Sequence, residues 1–395
     1  MEFSEIINKH YQSAVELRRE LHRFPELSRE EKETTRRIRD FLVSKGFSTE
    51  EVELNGAKVQ VSQPLETGLV VRIKRGEGGP VVAFRADIDA LPVHEETGLS
   101  FASENPGRMH ACGHDGHTAV LALTLLSFVE DTSWEGEVRG IFQPAEELYG
   151  GAERMVAAGA LDGADYVYAL HIWPEVPEGI VASRPGTIMA SNDRFSVVLK
   201  GKSGHGAAPH LAKDPIVCAC SLVTSLQSIV SREIAPWDGA VLTIGSISAG
   251  TAYNIIPDKV TLEGTIRALS QESRKKIGES LKRHAEYTAK AFGLEAEVEY
   301  VEQYPPTANH QTALEIVQAN LPQGLTYKEL SFPSMAAEDF SFYTEKVTGA
   351  MLFLGSRTEE CSMPLHNSKF KFNEKIIGYG AELFLSVGRS LLKSR

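Results

Sequence analysis

The segment 109–117, MHACGHDGH, places one cysteine, three histidines and one aspartate within nine residues. Thiolate and imidazole groups both bind divalent metals such as Zn²⁺, and Cys112 and His114 stand two residues apart just before a helical pattern. The neighbouring glycines allow tight turns, so that side chains and backbone can converge on one point. The segment is therefore a candidate metal site, and a reactive thiol at Cys112 is the redox alternative.

The other polar side chains of this segment have simpler interpretations. Asp115 stands where it can cap the following helix, and we expect that structural role rather than metal binding. His110 and His117 suit polar positions beside the site as well as they suit ligand positions.

Further metal-capable side chains follow short apolar runs elsewhere in the chain. Glu146 and Glu147 come soon after the run VRGIF, His171 directly follows the run YVYAL, and His366 lies in a late loop, MPLHNSKF. Ligands of open α/β sheets bind at the carboxyl ends of the strands, so we expect these groups to meet. Adjacent glutamates in a loop can point in different directions, which lets one bind metal while the other acts as a base. Donors from separate segments suit a pair of catalytic ions better than a closed structural zinc site.

The apolar runs themselves predict the sheet that positions these donors. Runs at 68–73, 81–84, 138–142 and 166–170 do not alternate with polar residues, and helical patterns such as 118–129 separate several of them. Strands that are buried on both faces of a mostly parallel sheet have this pattern.

Three other elements complete the α/β part of the chain. Ser28 and Glu31 have the spacing of a capping box, which predicts a helix that continues until Gly46. A further buried strand is predicted at 350–355 and a closing helix at 374–392.

The pattern changes after about residue 182, where apolar and polar residues alternate as in half-exposed strands. The order there is strand, helix, strand, strand, helix, strand, which is the ferredoxin-like βαββαβ unit. Its predicted elements are, in that order, 192–200, 214–232, 240–249, 255–267, 271–292 and 295–301. The predicted architecture is an α/β catalytic domain, residues 1–181 and 294–395, interrupted by a smaller domain, 182–293.

Composition excludes several classes of function. The net charge is 41 − 53 = −12, and Lys and Arg do not cluster, so nucleic acid is not expected as a partner. The N-terminus has no apolar signal-peptide core, and no stretch of about 20 apolar residues predicts a membrane span. Four cysteines in 395 residues do not form a disulfide framework, so we expect a cytoplasmic protein with reduced thiols.

Several long motifs give the chain a family resemblance. They occur in the order RRELHRFPELS, FRADIDALPV, MHACGHDGHTA, FQPAEE, ALHIWP, GHGAAPH, NIIPDKVTLEGTIR, AEDFSFY and LHNSKFKF. The sequence resembles the co-catalytic metallopeptidase superfamily of carboxypeptidase G and aminoacylase. Within it, the sequence is most similar to the amidohydrolase branch of hippurate hydrolases, N-acyl-amino-acid deacylases and auxin-conjugate hydrolases.

The resemblance implies a role for each donor. Cys112 would be shared by two divalent ions, and Glu146 would be the general base. Asp89 would orient the site, and His114 would replace a histidine ligand that carboxypeptidase-type relatives have where this chain has Asp87. The implied metal ligands are Cys112, His114, Glu147, His171 and His366. The ions would be Zn²⁺ or Mn²⁺, with Co²⁺ or Ni²⁺ also compatible with this donor set.

The resemblance also implies that residues 182–293 are a lid that forms a homodimer. His205 would reach the partner subunit's active site and donate a hydrogen bond to the oxyanion. Asn254 and Arg267 would bind the carboxylate of the substrate. Asn373 replaces an aspartate that relatives often have, at a position outside the implied ligand set.

The implied reaction is hydrolysis of the amide bond of an N-acyl amino acid, by a hydroxide that bridges the two ions. A dipeptidase or carboxypeptidase with the same centre is the alternative within the enzyme class. A redox protein and a non-catalytic binding protein are the alternatives outside it. Cys218 and Cys220 are expected to be core residues of an apolar helix, which leaves Cys112 without a partner for redox chemistry. The acyl group and the amino acid stay open.

Overall fold

The computed structural model describes residues 3–148 and 150–392, and these divide into two units. The large unit comprises Met1–Ile188, Ala308–Phe332 and Asp339–Arg395 within that description. The small unit comprises Met189–Thr307 and Pro333–Glu338.

Helices and strands are numbered in chain order. The helices are α1 Glu5–Arg23, α2 Lys32–Ser44, α3 His114–Glu130, α4 Gly151–Ala157, α5 Pro215–Ser228, α6 Gln271–Ala291, α7 Gln311–Ala319, α8 Ser341–Thr344 and α9 Lys375–Leu391. The strands are β1 Val52–Leu54, β2 Ala57–Ser62, β3 Leu69–Arg75, β4 Val81–Asp87, β5 Gly136–Gln143, β6 Tyr166–Pro177, β7 Ile180–Ser183, β8 Gly186–Met189, β9 Asn192–Lys200, β10 Gly204–His205, β11 Ala240–Ala249, β12 Ile255–Ile256, β13 Lys259–Ala268, β14 Glu295–Tyr304, β15 Thr307–Asn309, β16 Thr326–Glu329 and β17 Thr348–Arg357.

The described part of the large unit contains a nine-stranded sheet, in the order β1-β2-β3-β5-β4-β6-β17-β7-β16. Its four central strands, β5, β4, β6 and β17, are parallel, which confirms the predicted α/β fold. The sheet is antiparallel from β1 to β5, and β7 joins β17 in antiparallel register. Parallel neighbours end at one edge of a sheet, so β4, β5 and β6 deliver their following loops to the same place.

Helix α3 packs between α1 and α9 and is buried on all its faces from His114 to Val129. A helix that is buried on every face needs apolar residues on every face. The sequence of residues 118–129, TAVLALTLLSFV, meets this requirement. The helix begins four residues before the predicted 118–129, because Gly113 adopts a left-handed φ of 89° and turns the chain into its first residue, His114. At Gly116 an added Cβ would lie 2.5 Å from the ring of Phe372, so glycine is required for this close packing.

The predicted capping box at the start of α2 is wrong. The helix begins at Lys32, and neither Ser28 nor Glu31 caps it through its side chain. The side chain of Glu26 accepts the hydrogen bond of the Thr34 backbone N–H instead, at 2.6 Å. Ser28 and Glu31 are thereby free to contact other segments.

The small unit has the predicted βαββαβ order, formed by β9, α5, β11, β13, α6 and β14. Its antiparallel four-stranded sheet has the order β11-β13-β9-β14, which is the ferredoxin-like order. The strand predicted at 255–267 is divided into β12 and β13 around Pro257, which cannot donate a ladder hydrogen bond. Cys218 is buried as predicted, but Cys220 is exposed, so its assignment to the core is wrong.

One helical segment, Pro215–Glu233, is long and apolar enough, by length and composition alone, to cross a membrane. A core helix passes the same test, and Cys218, Leu222 and Leu226 lie buried in the core of the small unit. The segment extends α5 through a π-helical turn, Ile229–Glu233.

We expect Phe84→Ala to lower the free energy of unfolding of the large unit by about 3–5 kcal/mol, because it leaves a cavity among Phe128, Tyr168 and Phe384. Denaturant unfolding would measure the loss. Phe332→Ala is the matched control, since Phe332 is 83% exposed and its removal should cost less than about 0.5 kcal/mol. Equal losses in both variants would contradict this account of the core.

Candidate metal centre

The carboxyl edge of the central strands brings the donors predicted in the large unit together. The sulfur of Cys112 lies 3.4 Å from Nε2 of His171, and His114 belongs to the same buried group. Within this group the ligand atoms all lie within 4.8 Å of one another. His171 lies inside β6, which continues beyond its predicted end at residue 170. Its Nδ1–H donates to the backbone carbonyl of Ile172 at 2.8 Å, which leaves the lone pair of Nε2 for the site.

Two more groups overlap with the first. Cys112, Glu147 and His366 form one, and His366 Nε2 lies 3.4 Å from Glu147 Oε1. His114, Glu146 and Glu147 form the other, and His114 Nε2 lies 3.8 Å from Glu147 Oε1. These three groups join the five predicted donors into one continuous cluster, and Cys112, His114 and Glu147 each belong to two of the three.

Two donor atoms of this cluster are buried without a hydrogen bond in the described part of the chain, His114 Nε2 and Glu147 Oε1. An unsatisfied buried polar atom costs about 1–3 kcal/mol, more when charged. A divalent cation would satisfy both, and thiolate, imidazole and carboxylate together are ligands for a borderline-soft metal. The residues present thus fit the metals that the sequence analysis implied.

The electrostatic potential of the cluster favours positive charge. Burial alone would lower the pKa of His114, but Asp87, Asp89 and Glu147 outweigh it and raise that pKa to about 10. Nδ1 of His114 donates to the backbone carbonyl of Asp89 at 2.9 Å and lies 3.3 Å from Oδ1 of the same residue. Asp89 therefore fixes the ring with Nε2 directed at Glu147.

His117 and His110 differ from the donors although both are buried. Nδ1–H of His117 donates to Asp87 at 2.6 Å, and its Nε2 accepts the backbone N–H of Ile172 at 2.9 Å. Both ring nitrogens are thus used, so His117 orients Asp87 and is not available to a metal. His110 belongs to none of the candidate metal groups among the described residues, and burial lowers the pKa of its ring to about 4.

Asp115 is structural, but it does not cap α3 as predicted. Its carboxylate accepts hydrogen bonds from Arg18 Nε at 2.7 Å and His22 Nδ1 at 2.9 Å. Burial acts to raise the pKa of Asp115, but Arg18 and His22 hold it well below its usual range. These two residues of α1 thereby fasten the first turn of α3, which carries His114.

The loop that carries His366 is held at two points. His366 has a positive φ of 63°, and its backbone N–H donates to the carbonyl of Ala111 at 2.8 Å. Further along, the Glu96 N–H donates to the Ser368 carbonyl at 2.8 Å, and the Ser368 hydroxyl donates to Glu96 at 2.6 Å. These bonds tie the two loops that flank the cluster.

His205, Asn254 and Arg267 lie in the small unit. His205 is exposed in β10, and its Nδ1 accepts the Ala207 N–H at 3.0 Å, so that the proton of the neutral ring is on Nε2. Asn254 is also exposed. The guanidinium of Arg267 is half-buried, and its Nη1 group donates to Asn192, Thr265 and the Ile266 carbonyl.

The sequence profile of peptidase family M20/M25/M40 matches residues 83–389. The chain belongs to this family. The family resemblance that the motifs predicted is therefore confirmed, and this M20 member is a hydrolase that acts on amide bonds.

Three similar proteins illustrate the range of the M20 relatives. The chain is 38% identical over 385 residues to N-acetylcysteine deacetylase of Bacillus subtilis, covering 96% of this chain and 97% of that one. It is 38% identical over 373 residues to thermostable carboxypeptidase 1 of Saccharolobus solfataricus, covering 93% and 92%. The structure of a dinuclear metal-binding M20 peptidase of Bacillus subtilis superposes with a TM-score of 0.84 at 34% identity, over 98% and 99% of the two chains.

A buried ion-pair network beneath the M20 cluster was missed by the sequence analysis. Arg85 bonds both Asp87 and Asp339, and its Nε–H donates to Gln143 at 2.8 Å. Gln143 in turn donates to Asp339 at 2.9 Å. The sequence did contain a signal for this network: Arg85 lies inside the otherwise apolar strand β4, and Gln143 inside β5. A buried charge requires a partner, so Arg85 alone predicts a buried acidic group nearby.

Alkylation of the metal-free protein tests the environment of Cys112. Burial first, and then Glu147 and Glu146, raise the pKa of its thiol well above the ordinary value. We expect iodoacetamide at pH 7 to label the exposed Cys220 at least roughly tenfold faster than Cys112, as peptide mapping by mass spectrometry would show. Cys218, buried away from the cluster, is the matched control. Preferential labelling of Cys112 would instead favour the redox hypothesis.

Proposed function

We propose that this M20 enzyme is a binuclear metal-dependent amidohydrolase that releases an amino acid from its N-acyl derivative. The observation that carries the proposal is the continuous cluster around Glu147, whose Oε1 and the facing His114 Nε2 have no hydrogen bond in the described chain. The full-length similarity to an N-acetylcysteine deacetylase supports an N-acyl amino acid as the substrate.

Five side chains would hold two divalent ions, with Cys112 shared between them. When bound, such ions lower the pKa of a shared water toward neutrality and polarise the carbonyl of the amide. The sulfur ligand suits Zn²⁺, Co²⁺ or Ni²⁺, and the carboxylate and imidazole ligands also accept Mn²⁺. The proposed ligands are Cys112, His114, Glu147, His171 and His366.

Glu146 is the proposed general base. It is 6% exposed, and its carboxylate lies in the same group as His114 and Glu147, within 4.8 Å of their ligand atoms. It takes the proton of the attacking water and delivers it to the leaving amine. Asp89 keeps His114 in place, because its backbone carbonyl accepts the hydrogen bond of the histidine Nδ1–H at 2.9 Å.

The small unit is the proposed lid and dimerisation domain. The β11 strand lies at the edge of its described sheet, with Val241 and Ile247 exposed, and α5 exposes Ile216 and Val217. An exposed apolar edge strand is a surface that pairs with another chain, here a second copy.

Substrate groups would be recognised by polar side chains of the small unit. His205 of the partner subunit would donate its Nε2–H to the oxyanion, since its Nδ1 is already an acceptor for the Ala207 N–H. Asn254, which is exposed, would bind the substrate carboxylate with Arg267. The four free cysteines support a cytoplasmic location.

A carboxypeptidase or dipeptidase reaction is the second candidate. It would use the same centre, and the 38% identity to a thermostable carboxypeptidase favours keeping it. Its substrates differ because the amino acid that is released is joined to another amino acid or to a peptide, rather than to a simple acyl group.

A substrate panel separates the two reactions. Protein reconstituted with Zn²⁺, Mn²⁺, Co²⁺ or Ni²⁺ is offered N-acetyl and N-benzoyl amino acids, dipeptides and N-blocked peptides, and amine release is scored. We expect N-acyl amino acids to be cleaved fastest and chelation to abolish cleavage. Glu146→Gln should retain both metals and lose about 10²–10⁴ in kcat, because an amide cannot relay the proton. Glu153→Gln, on the exposed face of α4, is its matched control.

Faster cleavage of dipeptides than of acyl amino acids would establish the second candidate. Near-normal kcat in metal-loaded Glu146→Gln would refute the assignment of the base.

Mixed dimers test whether His205 acts across the subunit interface. Alone, His205→Ala should lose about 10²–10³ in kcat, as expected for one oxyanion donor. An equimolar mixture with Glu146→Gln, dissociated and reassembled, should recover about a quarter of the parent sites. Half of the dimers are then mixed, and each combines an intact Glu146 with an intact His205 of the partner subunit. No recovery, despite mixed dimers seen by native mass spectrometry, would show that His205 acts within its own chain.

A further inference from the structure

The turn before α2 contacts the loop that carries Glu146. Glu31 is fully buried in the large unit, and its Oε1 accepts the backbone N–H of Ala145 at 2.8 Å. These residues are 114 positions apart in the chain. The side chain of Glu31 makes no capping hydrogen bond to its own helix. In the described structure it bonds the distant Ala145 instead.

The loop that receives this bond is strained at Ala145. Ala145 has a φ of 56°, in the left-handed region where a side chain costs roughly 1–2 kcal/mol. Its carbonyl accepts the N–H of Gly151 at 3.1 Å. Gly151 cannot carry a side chain, because an added Cβ would lie 1.6 Å from the carbonyl oxygen of Pro144. A strained residue persists only where surrounding contacts determine it, and here they are the bonds to Glu31 and Gly151.

A second hydrogen bond from the same turn supports the other side of Glu146. The hydroxyl of Ser28 donates to Asp89 Oδ2 at 2.6 Å, and the same oxygen accepts the backbone N–H of Glu147 at 3.0 Å. The N–H groups of the residues before and after Glu146 are therefore both anchored to the turn at 28–31, one directly and one through Asp89.

We propose that Glu31 is a positioning residue for the general base: its hydrogen bond to Ala145 fixes the strained turn that aims Glu146 at the reacting water. This inference rests on the proposed function for the role of Glu146. The bond itself, and the turn that it fixes, do not depend on the substrate.

The chemistry of Glu31 suits an acceptor rather than an ion-pair partner. Its Oε2 has no hydrogen bond in the described chain, and burial, with Asp89 second, raises its pKa to about 7. Oε1 can accept the Ala145 N–H in either protonation state. Glutamine has the same shape and a carbonyl oxygen at that position, so it should preserve the bond.

Three variants test the proposal on the full-length, metal-loaded enzyme. Glu31→Ala removes the acceptor, and kcat should fall about 10²-fold, with KM within about threefold of the parent and metal content unchanged, because misplacing a catalytic group by ~1 Å has a cost of this size. Glu31→Gln should restore kcat to within about fivefold of the parent. Asp165→Ala is the matched control, since that carboxylate also accepts one backbone N–H, of Val81 at 2.8 Å. Val81 starts β4, at the opposite edge of the sheet from the loop after β5 that carries Ala145.

Amide hydrogen exchange of the peptide containing Ala145 gives a readout without a substrate. Exchange at Ala145 should be slow in the parent and in Glu31→Gln, and at least roughly tenfold faster in Glu31→Ala. If the parent cleaves no N-acyl amino acid, the proposed function fails, and exchange still decides whether Glu31 holds the turn.

Three outcomes would overturn the inference. The first is a kcat in Glu31→Ala within threefold of the parent, and the second is equal damage in Glu31→Gln and Glu31→Ala. The third is a loss of activity that follows metal content or melting temperature rather than kcat, which would indicate a merely structural role.

Discussion

The structure depends on an electrostatic constraint at the carboxyl edge of the parallel strands. Asp87, Asp89, Glu146 and Glu147 are gathered there with Cys112, almost wholly out of water. Buried negative charges repel one another and lose hydration, so each needs compensation. Arg85 and His117 compensate Asp87. Oδ2 of Asp89 accepts hydrogen bonds from Ser28 and the Glu147 N–H, and its Oδ1 lies 3.3 Å from His114 Nδ1. Glu147 Oε1 has no hydrogen bond in the described chain. A bound cation would offset the free-energy cost of that missing bond.

The sheet and α1 hold these charged groups together before any cation binds. Parallel neighbours β4, β5 and β6 end at one edge, so donors far apart in sequence meet without long loops. Rigid supports then fix the donors: Asp115, with its bonds to Arg18 and His22, holds the first turn of α3. Left-handed backbone at Ala145 and His366 places strain beside functional side chains, where contacts with buried polar groups maintain it.

The sequence was sufficient to predict elements that local or repeated patterns determine. It was insufficient to predict side-chain contacts between residues that are far apart in the chain. Unbroken apolar runs located β4, β5 and β6, and alternation located the small unit, because burial of one or both strand faces leaves a direct pattern. The spacing of Ser28 and Glu31 led to a wrong prediction, because it matches that of a capping box. In the structure both side chains form hydrogen bonds with residues that are distant in the chain. The core position predicted for Cys220 was wrong for another reason. An apolar helix surface that faces outward has the same composition as one that faces a core.

The groups proposed for catalysis and for substrate binding have physically different surroundings in the two units. Large-unit groups such as Glu146 and His114 are buried, so the free-energy cost of desolvating and positioning them is met on folding and not during turnover. The polar groups proposed to contact the substrate, His205 and Asn254, are exposed in the small unit, so substrate binding would desolvate them and restrict their side chains. Part of the substrate binding energy would offset that loss of side-chain freedom, whereas the groups proposed as base and ligands are already held in position. Under the proposed function, acyl or amino acid preference would change through the exposed set, while the donors of the large unit and the reaction proposed for them stay the same.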